Sequence, residues 1–265
     1  MPPYELLPLH DPAPIRAFLR RDPPLSAYAL GDLDPALWPE SAFWGALQGG
    51  ELVTVTLLYR GLTPPVLTAF GAAEGFRATL EALALPAEVY ALLLPEYEAD
   101  FRAFYRLHHP HYEWRMLLEP QAFAPPPLDG VQRLGPQHVE ALAALFRQAA
   151  DPGEEIVAFT PSQIARGAFF GVWRGEELLA VAGTHVWARG EGVAAIGNVF
   201  TRPDARGRGY ATRCTAAVVR QALQEGMRWV VLNVRRENAP ALRVYEKLGF
   251  RRYGAFVEGP ALRLR

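Results

Sequence analysis

Arg206-Gly207-Arg208-Gly209-Tyr210-Ala211 separates an apolar run, Val193–Phe200, from a segment of helical patterning that begins near Gly209. Glycine lets a backbone approach a ligand closely and take up positive φ. The first N–H groups of a helix have no partner inside it, and the helix dipole adds partial positive charge there. Two guanidinium groups supply fixed donors for phosphate oxygens. Together these features predict a diphosphate-bearing ligand at residues 206–211. The pattern, Arg-x-x-Gly-x-Ala, is not a Walker loop, which needs Gly-Lys-Ser/Thr. It is not the dinucleotide fingerprint either, because the third glycine and the later acid are not in place.

The downstream residues narrow the choice. A buried-strand pattern, Trp229-Val230-Val231-Leu232-Asn233-Val234, is followed by Arg235-Arg236-Glu237-Asn238 and then by Ala239–Phe250. Asn238 is placed to cap a helix with Pro240 in its first turn, and Gly249 to end it. At these residues the chain resembles the GNAT superfamily of N-acetyltransferases. The family's motif runs strand, Arg/Gln-x-x-Gly-x-Gly/Ala, helix, strand, Asn, and a helix ending Tyr-x-x-Leu-Gly-Phe. Here the ending is Tyr245-Glu246-Lys247-Leu248-Gly249-Phe250, and the resemblance covers about residues 130–265.

The resemblance implies an α/β GNAT fold with a mixed sheet, and acetyl-CoA or another acyl-CoA as co-substrate. Arg206, Gly207, Arg208, Gly209, Tyr210 and Ala211 would hold the pyrophosphate. Val199, Phe200 and Thr201 would pair with the pantetheine arm. Asn233 and Asn238 match polar positions that touch CoA, and Tyr245 matches a tyrosine near its sulfur.

Acyl transfer from a thioester to an amine needs a proton acceptor for the amine, a donor for the oxyanion and a proton for the departing thiolate. Tyr245 suits the last role; it also suits simple packing with Leu242 and Leu248 at helical spacing. Many relatives carry a Glu on the strand before the loop, but Val193–Phe200 has no carboxylate. Asn198 could orient a water and cannot be a base. His185 is one candidate base, since its ordinary pKa is near neutral. Glu154 and Glu155 are others. Each also has a plain reading: a strand histidine, and solvated loop charge. No activated nucleophile is evident, so direct attack in a ternary complex is expected. A CoA-binding sensor or scaffold without catalysis is the rival.

The chain has 265 residues, 50% apolar, with a formal charge of −1. That is room for two domains with ample cores, and it gives no case for nucleic acid. The single cysteine, Cys214, rules out an intramolecular disulfide and suits a reducing cytoplasm. It falls on a predicted helix, where a small buried hydrophobe is the better reading than a nucleophile. Nothing resembles a leader peptide or a membrane span, so a soluble, cytoplasmic protein is expected. The acceptor is expected to be a small-molecule or peptide amine, with no metal. His108-His109-Pro110-His111 reads as a polar turn. The aromatic residues read as core, though Trp38, Phe43 and Trp44 could line a pocket.

Four prolines between Glu119 and Gly130 read as a semi-rigid linker, so domains 1–124 and 125–265 are expected. In the second, strands are expected at Val131–Leu134, Ala168–Trp173, Leu178–Trp187, Val193–Thr201 and within Arg251–Leu264, with a helix over His138–Ala150. In the first, helices are expected at Pro12–Arg20, Leu25–Leu30, Glu74–Leu83 and Glu96–Tyr105. Its strands are expected at Ala42–Leu47, Leu52–Tyr59, Val66–Phe70, Val89–Leu94 and Tyr112–Leu118. Strand, helix, strand, helix, strand occurs in both halves. The first half therefore reads as a GNAT-like copy, or as an unrelated α+β domain. Its loop, Gly71-Ala72-Ala73-Glu74-Gly75, lacks the arginines and carries an acid, which opposes phosphate. Residues 1–125 hold 8 Arg against 15 acids, a balance of −7; the remainder balance at +6. A positive half suits CoA phosphates. A negative half suits a cationic amine, or simply docking of the halves.

Overall fold

The computed structural model describes residues 4–149 and 161–264. The chain divides into two compact units, Met1–Arg115 with Tyr253–Arg265, and Met116–Arg252. The boundary expected near residue 125 falls inside the second unit, and the last stretch of chain belongs with the first.

The first unit begins with β1 (Glu5–Leu9), α1 (Pro12–Leu19) and α2 (Ala27–Gly31). Asp11 caps α1, its side chain accepting from the Ala13 N–H at 2.9 Å, with proline in the first turn. β2 (Ser41–Gln48) and β3 (Glu51–Tyr59) form a hairpin, and Gly49 and Gly50 take φ of 61° and 83° at its turn. β4 (Val66–Gly71), α3 (Ala73–Ala82), β5 (Glu88–Leu93), α4 (Glu98–Arg102), β6 (Tyr105–Leu107) and β7 (His111–Leu118) follow. Strands β1 to β4 are antiparallel neighbours in order. β4 and β5 are parallel, paired only at Val66↔Tyr90 and Leu67↔Ala91. Beyond that point Tyr97 bridges toward β4, its hydroxyl donating to the Gly71 carbonyl at 2.7 Å. Gly71, at φ 108°, leads straight into α3.

The remaining elements lie mainly in the second unit. β8 (Val131–Arg133) is followed by α5 (Val139–Ala149) and α6 (Pro161–Arg166). Next come β9 (Phe170–Arg174), β10 (Glu177–Ala188), β11 (Val193–Thr201), α7 (Tyr210–Gln224), β12 (Trp229–Arg235), α8 (Ala239–Leu248) and β13 (Phe250–Arg263). Strands β8 to β11 are antiparallel in order, and β11 and β12 are parallel. β10 is buried without alternation from Leu178 to Thr184, as a strand covered on both faces must be. α5 packs Leu142, Leu145 and Phe146 against Leu178 and Val181. α7 buries Cys214 through Val219 over β9 to β11.

The structure corrects several expectations. Glu96–Tyr105 is not one helix: α4 spans Glu98–Arg102, and Tyr105 starts β6 with its ring stacked 4.8 Å from Phe101. The stretch within Arg251–Leu264 is a single long strand, whose Val257–Leu262 pair with β5. β1 and α6 had no expectation; both are short segments whose hydrophobic pattern spans too few residues to register. Among the described residues, no helix is long and apolar enough to cross a membrane.

Candidate acyl-CoA site

The second unit sets a glycine loop at the end of an opening between two parallel strands. β11 and β12 pair only over Val193–Ile196 and Trp229–Leu232. Among the described residues, β11 has no strand partner on that side from Gly197 to Thr201, so its backbone groups there face a slot. Val199, Phe200 and Thr201 lie on this free stretch. Phe200 is fixed by its ring, 3.9 Å from that of Phe146 on α5. Asn233 follows Leu232 on the facing strand.

The slot leads to the loop. Arg202 pins the approach with Asp204 at 2.8 Å and Glu177 at 3.1 Å, while Arg174 takes Glu177 at 2.8 Å. These pairs neutralise Arg174 and Arg202. Gly207 and Gly209 have φ of 77° and 74°, and a Cβ on either would meet nothing within 4 Å. Gly209 is the N-cap of α7 and offers no side-chain bond to its first N–H groups. A 15-residue helix thus presents open donors and its positive dipole end to free space. Arg206 donates Nε to the Thr201 carbonyl at 3.3 Å, tying loop to strand, and Arg208 is exposed. Arg213 lies 4.9 Å over the Tyr210 ring and donates to the Asp129 carbonyl. Ala211 is half-buried in the first turn.

Two bulges face each other at the closed end of the slot. From Val181 to Gly183 β10 advances two residues while β11 advances three, Phe200 to Gly197. The extra residue lies at Asn198, whose φ is 54°. From Thr184 to Val186, β10 carries the extra residue instead, and it is His185. Asparagine tolerates the left-handed region better than most side chains. Between the bulges sits the pair Gly183↔Gly197. A Cβ on Gly183 would stand 2.2 Å from the Phe169 ring, and one on Gly197 2.0 Å from the His185 ring. His185 keeps solvent-facing surface yet stands among protein atoms, and this loss of hydration lowers its imidazole pKa from 6.5 to about 4.

Tyr245 is buried on α8, edge-on to Phe250 at 6.1 Å between centroids. Asn238 caps α8, its Oδ1 accepting from the Ala241 N–H at 3.1 Å, and Gly249 ends the helix at φ 101°. The cap therefore occupies the oxygen of Asn238. Glu154 and Glu155 lie outside the described residues. Cys214 is fully buried, and burial pushes its thiol up to about 12. His109 sits at φ 44° in the turn before β7. Among the described residues no three His, Cys, Asp or Glu side chains come together as a metal site.

The paired bulges went unread in the sequence. Their signal was there: glycine inside a strand marks a bulge or a close approach, and Gly197-Asn198 sits inside Val193–Thr201.

The residues present have room and donors for a phosphate-bearing ligand. The cradle is open, the α7 terminus has no side-chain cap, and Asn198 Nδ2 and Thr201 Oγ1 are buried without a partner among the described residues. Residues 138–250 match the family described as "Acetyltransferase (GNAT) family". A mycothiol acetyltransferase of Geodermatophilus obscurus is 36% identical over 93 residues, 34% of this chain and 30% of that protein. The chain spans less than a third of the length of the curated relatives it matches. A Drosophila protein of known structure superposes with TM-score 0.76 at 15% identity, over 98% of this chain and 99% of that one. A tandem GNAT protein from the clavulanic acid biosynthesis pathway gives 0.61 at 16%, over 98% of each. At such identities the two structures speak to fold alone.

Proposed function

We propose, from the match of residues 138–250 to the GNAT acetyltransferase family, that the chain moves an acetyl group from acetyl-CoA to an amine by direct attack. The observation that carries the reading is the open glycine cradle at α7, continuous with a strand slot that ends at polar bulges. Arg206 through Ala211 hold the pyrophosphate. The free backbone of Val199–Thr201 takes the pantetheine arm, with Asn233 on the facing strand and Asn238 at the rim. Acetyl-CoA supplies an activated acyl group and a thiolate leaving group.

The acceptor amine attacks only when neutral. His185 accepts its proton; its lowered pKa keeps the imidazole neutral, and so able to accept, throughout the physiological range. Tyr245 returns a proton to the departing sulfur. An acyl-enzyme through Cys214 is disfavoured, since a fully buried thiol held near 12 is neither accessible nor ionised. The acceptor is a small-molecule or peptide amine.

We also read the two halves, expected at 1–124 and 125–265, as one fold twice. Strand, two helices, three antiparallel strands, helix, parallel strand, helix, strand occurs in each. In the first half the loop glycine has no room for a side chain, although a cavity lined by Phe18, Val53, Gly71 and Leu94 lies beside it. A Cβ on Gly71 would stand 2.1 Å from the Val53 carbonyl and 2.7 Å from Phe18, where Gly209 meets open space.

A strand without a carboxylate favours one rival, a sensor that binds CoA without turnover. Thermal unfolding with acetyl-CoA, ATP and NAD tests the ligand. At 100 times its dissociation constant a ligand stabilises by about 2.7 kcal/mol. A rise with acetyl-CoA alone supports the reading, and no rise in a folded sample removes it. Turnover on a panel of amines then separates enzyme from sensor.

A further inference from the structure

The residue at the closed end of the slot has a strained backbone and an unspent donor. Asn198 lies at φ 54°, one of two non-glycine residues with positive φ among those described. Its Nδ2 is buried and has no hydrogen-bond partner among the described residues. A buried, unsatisfied donor costs about 1–3 kcal/mol. Backbone strain at a single residue adds a similar penalty, and such penalties concentrate where a ligand completes the site.

The direction of a bound thioester follows from the slot. Phosphate belongs at the open cradle of residues 206–211, and Thr201, Phe200 and Val199 run back from it. The opening closes where Ile196 pairs with Leu232. A ligand anchored by its phosphates therefore brings its reactive end to Gly197 and Asn198. There His185 meets Gly197 from the neighbouring strand.

We propose that the Asn198 side-chain amide donates a hydrogen bond to the acyl carbonyl oxygen of the bound thioester, and holds it as charge builds on that oxygen. The inference rests on the acyl-CoA reading above. In the reaction the amine nitrogen bonds to the carbonyl carbon and the C–S bond breaks. The amine proton goes to the base, the sulfur takes a proton, and Asn198 gives up nothing. Its value is preorganisation: a donor already desolvated and fixed needs no reorientation as charge develops.

Two variants test this without disturbing the bulge. Asn198→Gly keeps the left-handed backbone and deletes the amide. Asn198→Asp keeps the shape and turns the donor into an acceptor. Both should bind acetyl-CoA within a few-fold of wild type by calorimetry and leave KM for the amine unchanged. Both should lose kcat by about 10²-fold, the scale for one oxyanion donor. The infrared carbonyl stretch of bound [1-13C]acetyl-CoA should rise in each, because the donor that weakens that bond has gone. A loss confined to the amine KM, or an unchanged carbonyl band, overturns the proposal. Failure of wild type to bind acetyl-CoA would instead overturn the acyl-CoA reading beneath it.

Discussion

The imidazole of His185 lies across the α-carbon of Gly197: a Cβ built there would stand 2.0 Å from both Nε2 and Cδ2 of the ring. No other side chain at position 197 leaves the ring where it is. Gly197 is not among the positive-φ glycines, so alanine fits the backbone, and the group in the way is the end of a side chain. Gly197→Ala should therefore fold normally and swing His185 outward. Moved off the protein atoms that crowd it at Gly197, the already exposed ring should see its pKa rise from about 4 toward the ordinary 6.5. Below its pKa the imidazole is protonated and cannot accept a proton. The acid limb of kcat should accordingly sit near pH 4 in wild type and move upward in the variant. NMR titration of the histidine carbon signals and a pH–rate profile check the two together. If neither moves, the contact does not set the behaviour of His185.

Tyr245→Phe keeps the ring that packs edge-on to Phe250 and removes only the hydroxyl. Loss of a general acid lowers rate by about 10²–10⁴-fold. Acetyl-CoA affinity should stay near that of wild type, since the hydroxyl acts on the departing sulfur. Full activity across the pH range would assign Tyr245 to packing alone.

Gly209→Glu places an anion in the open space where phosphate is expected, on a residue at φ 74°. Acetyl-CoA binding should disappear by calorimetry while the far-ultraviolet circular dichroism stays unchanged. Gly209→Ala separates strain from repulsion and should weaken binding less. Normal affinity in the glutamate variant would take the ligand away from the α7 terminus.

Asp32, the residue that closes α2, gives a pH signature in the first unit. Burial pushes its carboxyl from the ordinary 3.8 to about 7. The folded chain then holds this proton more tightly than the unfolded one. The stabilisation is fully present below pH 3.8 and is lost as pH rises through 7. Asp32→Asn should raise the Tm clearly at pH 8, less at pH 5 and hardly at pH 3.5. An equal change at pH 3.5 and pH 8 would show that the carboxyl titrates normally.

What could be read in the sequence divides along physical lines. The glycine loop, the Asn238 cap and the Gly249 stop were legible because each depends on its own residue's backbone and on neighbours within four positions. The elements β9 to β12 follow from largely apolar runs between glycine turns. The slot was not legible, because it is an absence of pairing between Gly197–Thr201 and β12, and pairing is a property of two distant segments. Neither was the His185 bulge. It depends on register across the Arg189-Gly190-Glu191-Gly192 turn, and one residue of slip on either strand would erase it. α4 was overestimated because Phe101 and Tyr105 share a helical face by spacing, yet their rings stack from a helix onto the strand that follows it.

Residues 253–263 of β13 belong to the first unit, where Val257–Leu262 pair with β5. Synthesis runs from the N-terminus, and domains fold as their chains emerge. The second unit, one continuous stretch from Met116 to Arg252, has all its residues before β5 acquires this neighbour. Until then the β5 edge stands open, with Val89, Ala91 and Leu93, all fully buried in the finished fold, beside it. The half that leaves the ribosome first is thus the half completed last, and its nascent form must keep an exposed strand from pairing elsewhere while the rest of the chain is made.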